Sequence, residues 1–347
     1  MKQASEFVDL LKQQQLITNV SDNCIKPHDS PWYIKTLMGF CGWLAAIFLL
    51  GLLGAGLESL FDSPLSLTVL GLVMISGSFY FLKTSQSEFV EHLGLALSFA
   101  GQGLIVFALF KFSELQSVGS WLVLTLMQGT LAMLMPSYMH RVISAYLATC
   151  CFSYLLFLVE ISTVFSSLVL LLVAFLWLRE FTLGQQVRKI QAVVYGVVIG
   201  LMQFKFWLLF AHQNSTWSNA PLPTVNPYVD EALNILVLLV ILQQLIQHKK
   251  LPRPTVQSWH AIAVVLLMCV GTFYANGIVS GLIVIVLGFA IQNKVLLTIG
   301  ILAALLNLSA YYYLLDISLL NKSLILTAMG ASALVLFYVG KGKHNEI

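Results

Sequence analysis

Apolar runs long enough to cross a bilayer recur from one end of this chain to the other, and that repetition limits the fold more than any single motif. A helix spanning the hydrocarbon core needs about 20 largely apolar residues, within a range of about 17–25. Runs near that scale stand at 35–57, 65–82, 92–110, 118–135, 142–159 and 161–178. A second set stands at 190–211, 232–247, 260–275, 278–292, 295–314 and 323–340. Short polar or charged turns separate them. The runs are continuously apolar instead of alternating, which excludes strands as the spanning elements. The expected fold is all-α: a polytopic transmembrane helical bundle of about twelve spans, several of them short for the hydrocarbon thickness.

Composition agrees. Hydrophobic residues make up 59% of the 347 and charged residues only 10%, with a mean hydropathy of +0.87. A soluble domain carries about 25% charged residues, so this chain lacks the polar surface a water-facing globule needs, and its main partner is the lipid bilayer. The net charge of +3 is spread thinly, and no basic run offers a nucleic-acid groove. Residues 1–34 read as a cytoplasmic segment. They hold a short amphipathic helix, SEFVDLLKQQQLI, with Phe7, Leu10, Leu11 and Ile17 spaced to share a face. This stretch lacks the apolar core of a signal peptide and carries Glu6, Asp9, Asp22 and Asp29. Residues 35–340 form the transmembrane domain, and 341–347 a cytoplasmic tail.

Orientation follows from lysine and arginine, which concentrate in cytoplasmic loops. With the N-terminus inside, all of the 18 basic residues fall on the cytoplasmic side except Lys111, Lys322 and Lys205. Lys111 and Lys322 lie outside, and Lys205 lies within a span. A missed or invented helix would invert every later loop and destroy this asymmetry. Both termini are therefore expected in the cytoplasm.

Motifs for chemistry are scarce. Cys24, Cys41, Cys150, Cys151 and Cys269 are odd in number and include no CxxC, which argues against a disulfide framework or a zinc site. The seven histidines, from His28 to His344, lie dispersed near polar boundaries and read as interfacial groups. No P-loop, HExxH, GxSxG or SxxK pattern stands in a workable context. No catalytic residue, metal or cofactor is expected.

Ionisable groups inside a membrane are costly and suggest function by default. All acidic residues read as loop or helix-end groups, which disfavours a carrier coupled to protons or sodium through a buried carboxylate. Lys205, in QFKFWLLF, is the one cation inside a span. It either extends its ammonium to the outer interface or serves as a buried counter-ion. Gln102, Gln128, Gln203, Gln292 and Asn307 are amides in apolar surroundings, available for interhelical hydrogen bonds or for a substrate path. Asn276 and Gly277 must form the whole outer turn between two short spans, as a tight hairpin or as a broken re-entrant element. Gly196/Gly200 and Gly277/Gly281 have the spacing of close helix contacts. The segment 212–230 is the longest outer loop, a connector or a docking surface.

Two stretches carry a family likeness. SPWYIKTLMGFCGWLAAIFLLGLLG, Ser30 to Gly54, joins an aromatic-basic entry to a glycine-rich first helix, and LSAYYYLLDISLLNKS, Leu308 to Ser323, ends the chain's apolar region. Together they resemble a bacterial membrane family catalogued as domain-of-unknown-function family 4401. The resemblance implies a multi-pass inner-membrane protein and the company of a small membrane-protein partner bearing a GDY-type motif. It carries no catalytic residue over. Within the second stretch Tyr311, Tyr312 and Tyr313 suit an interfacial belt, and Asp316 and Lys322 are spaced to pair at the outer surface. The leading expectation is a non-enzymatic subunit of an envelope or transport-like membrane complex. A self-contained transporter of a neutral or amphipathic solute is the alternative, and it requires the amides to converge on one cavity. An intramembrane lipid-modifying enzyme ranks last.

Overall fold

The computed structural model describes residues 32–56, 62–84, 88–112, 117–159, 161–178, 187–213, 227–248 and 277–314, with scattered positions between 318 and 334. Ten helices are delimited there, and no strand occurs among the described residues. They are α1 (Trp32–Gly56), α2 (Pro64–Thr84), α3 (Glu88–Phe112), α4 (Val118–Leu134) and α5 (Tyr138–Leu158), followed by α6 (Ser162–Leu178), α7 (Val187–Gln213), α8 (Pro227–His248), α9 (Ile278–Ala290) and α10 (Lys294–Leu314).

Local sequence explains the boundaries. Pro64 and Pro227 each occupy the first helical position of α2 and α8, where the missing N–H has no intrahelical partner to lose. Pro136 separates α4 from α5, and Met135 before it is extended, as the ring of the following proline demands. Between α9 and α10 the chain reverses in three residues. Gln292 takes a φ of 58°, the Asn293 N–H reaches back to the Gly288 carbonyl at 2.8 Å, and the Asn293 side chain accepts the Leu296 N–H at 3.1 Å.

The ten helices overlie ten of the expected apolar runs. The run 260–275 lies outside the described residues, as does most of 323–340. Four helical stretches are long and apolar enough to cross a membrane: Pro64–Thr84, Phe89–Lys111, Tyr138–Leu158 and Val187–Leu208. The described helices thus carry fewer spans of full length than the twelve expected. Length is one physical reason, since α4 and α6 run 17 residues and α9 only 13, at or below the short end of what a bilayer crossing requires.

Small residues set the helix contacts. A Cβ on Gly71 would lie 2.6 Å from the Gly101 carbonyl oxygen, and the reverse holds at Gly101, so α2 and α3 pack backbone to backbone. At the seam of α5 and α7, a Cβ on Gly196 would strike the Val142 carbonyl oxygen, and one on Gly200 would stand 2.9 Å from Thr149 Cβ. Residue numbers rise together along the two helices, so α5 and α7 run parallel. Close approach of this kind is how helices associate where solvent supplies no hydrophobic drive. The main core joins α6 to α10: Leu170, Val198, Leu201, Leu238, Ile283, Leu287 and Leu296 are all at most 1% exposed. A smaller core of Ile75, Ile105, Leu131 and Met135 holds α2, α3 and α4.

Candidate functional site

The start of α8 brings two carboxylates together, Asp230 in the first turn and Glu231 just after it, near the end of the helix where its dipole favours negative charge. Asp230 and Asn234 are four residues apart and share a face. Across from them, α7 presents Lys205, whose Nζ donates to Asp230 Oδ2 at 2.9 Å. From α6, the Ser166 hydroxyl donates to Asp230 Oδ1, and the Ser167 hydroxyl donates to Asn234 Oδ1 at 3.1 Å. Lys205 is 4% exposed, while Glu231 and Asn234 are 0% exposed.

Glu231 points to the start of α9. Its carboxylate accepts the N–H groups of Gly277 at 3.5 Å and Val279 at 3.4 Å, two donors that the helix itself leaves unpaired. A carboxylate from one helix thereby caps another. Gly277 precedes α9 with a φ of 91°, a conformation that glycine adopts without penalty. A side chain there would also meet Asn307 Oδ1 at 2.8 Å. Asn307, on α10, donates to the carbonyls of Ala303 at 2.9 Å and Gly277 at 3.4 Å. The cluster therefore gathers α6 to α10 around two carboxylates and one ammonium. Two buried atoms beside it, Asn234 Nδ2 and Asn307 Oδ1, have no hydrogen-bond partner among the described residues.

This bears on two expectations. Of the two readings of Lys205 the buried counter-ion fits, because the first turn of α8 covers it and supplies Asp230 as its partner. Nor does a helix-end position keep every acid out of the interior. Glu231 is near a helix end in sequence, yet the packing of α9 upon it removes it from solvent altogether.

A second polar cluster lies in the N-terminal region and is uncharged at its centre. His140 Nε2 sits 2.8 Å from Ser98 Oγ and 3.4 Å from Gln102 Nε2, and His140 Nδ1 sits 3.0 Å from Ser144 Oγ. Gln102 Nε2 donates to Ser98 Oγ at 3.2 Å, and Gln128 Nε2 donates to Gln102 Oε1 at 2.8 Å. Phe99 stacks on the His140 ring at 5.0 Å, and Trp43 stacks on Phe99 at 6.0 Å. His140 is 0% exposed, so it is a buried bridging group. The network ties α3, α4 and α5 together.

The remaining predicted residues scatter. Gln203 is exposed and accepts a hydrogen bond from the Tyr146 hydroxyl. It shares with Asn307 an apolar groove of about 510 Å³ between α7 and α10. Gln292 is an exposed turn residue; its sequence surroundings are apolar only because two apolar helices flank it. Asn276, Asp316 and Lys322 lie outside the described residues. Sequence reading named Lys205, Gln102, Gln128 and Asn307 but missed Asp230, Glu231, Asn234, Ser98 and His140. A usable signal existed for the acids: a lone lysine inside a span demands a counter-ion, and VDEALN places two carboxylates and an amide at the start of the next apolar run.

The model of a protein family described as a domain of unknown function (DUF4401) matches residues 31–342. The chain belongs to this family. The match runs from the start of α1 to beyond α10, so the charge cluster and the histidine network both lie inside the family's domain. No curated protein and no solved structure matches the chain.

Proposed function

We propose that this protein is a multi-pass component of the bacterial inner membrane, with about twelve spans and both termini in the cytoplasm. It works as a non-enzymatic, transport-like subunit of an envelope complex, linked to movement of a proton or small cation through the C-terminal helices. The observation that carries the reading is the cluster of buried Lys205 and Glu231 with partly buried Asp230, two carboxylates to one ammonium. A buried ion pair adds little to stability over an apolar packing of the same shape. Charge retained inside a membrane bundle instead marks ion paths and proton relays. A helix start facing the charged site, as α9 faces Glu231, is also how transport folds present backbone groups to a ligand. The bilayer is the setting, and a small single-span protein is the partner expected.

The test is reconstitution into sealed vesicles, with an internal pH or sodium indicator and an imposed gradient. Wild-type protein dissipates the gradient, while Asp230→Asn and Glu231→Gln do not. Equal rates in all three proteins would remove the ion-linked reading. The complex is tested separately, by purification in native-lipid discs and mass spectrometry of what is retained. A small membrane protein held one-to-one supports the subunit reading; recovery of the chain alone and monodisperse sinks it.

A second reading, a self-contained transporter of a neutral or amphipathic solute, keeps one supporting observation. Gln203 and Asn307 line the same apolar groove. The other amides lie elsewhere, in the histidine network and in a turn, so the convergence that reading needs is confined to two side chains.

A further inference from the structure

At the opposite end of α7 from the charge cluster, a cavity of about 610 Å³ opens among Leu82, Glu91, Pro136, Ser137, Tyr138, Arg141, Arg188 and Lys189. We propose that this cavity binds a phosphate-type anion, carried either by an anionic phospholipid headgroup or by a soluble phosphate compound.

Three features built into the fold support it. First, α5 and α7 run parallel and are drawn together at Gly196 and Gly200, so both helices begin at this cavity. Their unpaired N–H groups and positive dipole ends favour an anion there. Second, Arg141, Arg188 and Lys189 all fall within the first four residues of those two helices, where a cation opposes the dipole. Among the described residues Glu91 is the one carboxylate lining the cavity, and its Oε1 accepts the Ser137 hydroxyl at 2.9 Å. Three cations against one carboxylate leave the cavity positive, and a bound dianion offsets both the side chains and the helix ends.

Third, Arg141 is 8% exposed, unlike an ordinary solvated loop arginine. Its Nε–H donates to the Met135 carbonyl at 2.6 Å, which holds the guanidinium plane in place. An arginine has five N–H donors, and no other hydrogen bond of Arg141 occurs among the described residues. The remaining donors belong to a side chain that lines the cavity, and a fixed guanidinium fork suits the paired oxygens of a phosphate. Arg188 and Lys189 are exposed at the rim and complete the charge. Basic cavities between membrane helices recognise anionic headgroups by this chemistry.

The experiment uses the full chain in discs of phosphatidylcholine. One arm titrates inorganic phosphate against chloride at matched ionic strength and follows binding by calorimetry. The other replaces part of the lipid with phosphatidylglycerol and counts retained lipid by native mass spectrometry. Wild-type protein is expected to bind phosphate over chloride, retain phosphatidylglycerol over phosphatidylcholine, or both. Binding in the lipid arm alone identifies a headgroup, and binding in the phosphate arm identifies a soluble anion. Arg141→Gln is expected to abolish binding. Because that buried change can impair folding, the rim variant Arg188→Gln/Lys189→Gln decides independently, with an expected loss of about tenfold or more, the scale of charge-assisted hydrogen bonds. No preference for either anion in the wild type, or full binding by the rim variant, overturns the proposal.

Discussion

The N-terminal and C-terminal regions both bury polar groups between helices, but they do so in different currencies of interaction. Around His140 the groups are hydroxyls, amides and an imidazole, linked side chain to side chain across α3, α4 and α5. Around Asp230 and Glu231 they are ions, linked to an ammonium, to serine hydroxyls and to the free end of a helix. Interhelical hydrogen bonds between neutral groups in a membrane are worth about 0.6 kcal/mol on average, up to about 1.7. Such groups serve as glue, and losing one is tolerable. Removing one partner of a buried ion pair strands a charge and costs about 3–5 kcal/mol. Close charge pairing of the second kind is therefore the feature that structure alone does not require.

The largest effect expected is at the ion pair. Lys205→Met leaves buried Glu231 and partly buried Asp230 without a cation and should lower unfolding stability by up to about 3–5 kcal/mol, read from thermal unfolding in lipid discs. Adding Asp230→Asn to that variant should restore much of the loss, since the remaining pair is then neutral. If the double variant is no better than the single one, Lys205 and Asp230 are not a coupled pair.

Next comes the seam joining the two regions. Gly196→Leu forces α5 and α7 apart, because even a methyl group would strike the Val142 carbonyl. Overpacking of that sort costs about 1–3 kcal/mol. The same variant should weaken phosphate binding at the cavity where the two helices begin, whereas Lys205→Met should leave it intact.

A smaller loss is expected from Gly277→Ala. The left-handed backbone costs an L-residue about 1–2 kcal/mol, and the new methyl would press on Asn307. Proton–deuterium exchange at the start of α9 should rise, because Glu231 then caps a displaced helix end. Unchanged exchange there would mean that Glu231 does not hold those N–H groups.

The smallest effect belongs to the neutral network. Gln128→Leu removes one hydrogen bond to Gln102 and should cost about 0.6–1.7 kcal/mol, since Gln128 Oε1 already lacks a partner. Should Gln128→Leu prove as damaging as Lys205→Met, the contrast between glue and charge fails.

How much of this was legible beforehand differs from residue to residue. The α9–α10 hairpin was visible as two short runs, and its helices fall within two residues of the expected limits. Gln102 and Gln128 were suspected because amides stand out in apolar sequence, and they do meet. Gln292 stood out for the same reason and proved to be a turn residue, because a run-based reading cannot see a three-residue reversal between two apolar helices. Glu231 was passed over because its position, five residues into α8, looks like a helix end bathed in solvent.

The order of apolar runs and the spacing of Gly196 and Gly200 determined by themselves that this chain forms close-packed helices, since periodic apolarity and missing side chains act locally. Proline at 64, 136 and 227 likewise determined where helices begin or break, through its ring and its absent N–H. Which end of a helix is buried, which carboxylate meets Lys205 and which helix starts share a cavity were decided only in three dimensions. Those outcomes depend on Coulomb and hydrogen-bond partners brought from α6, α8, α9 and α10, and a charge's partner across a bundle leaves no mark in its own neighbourhood of sequence.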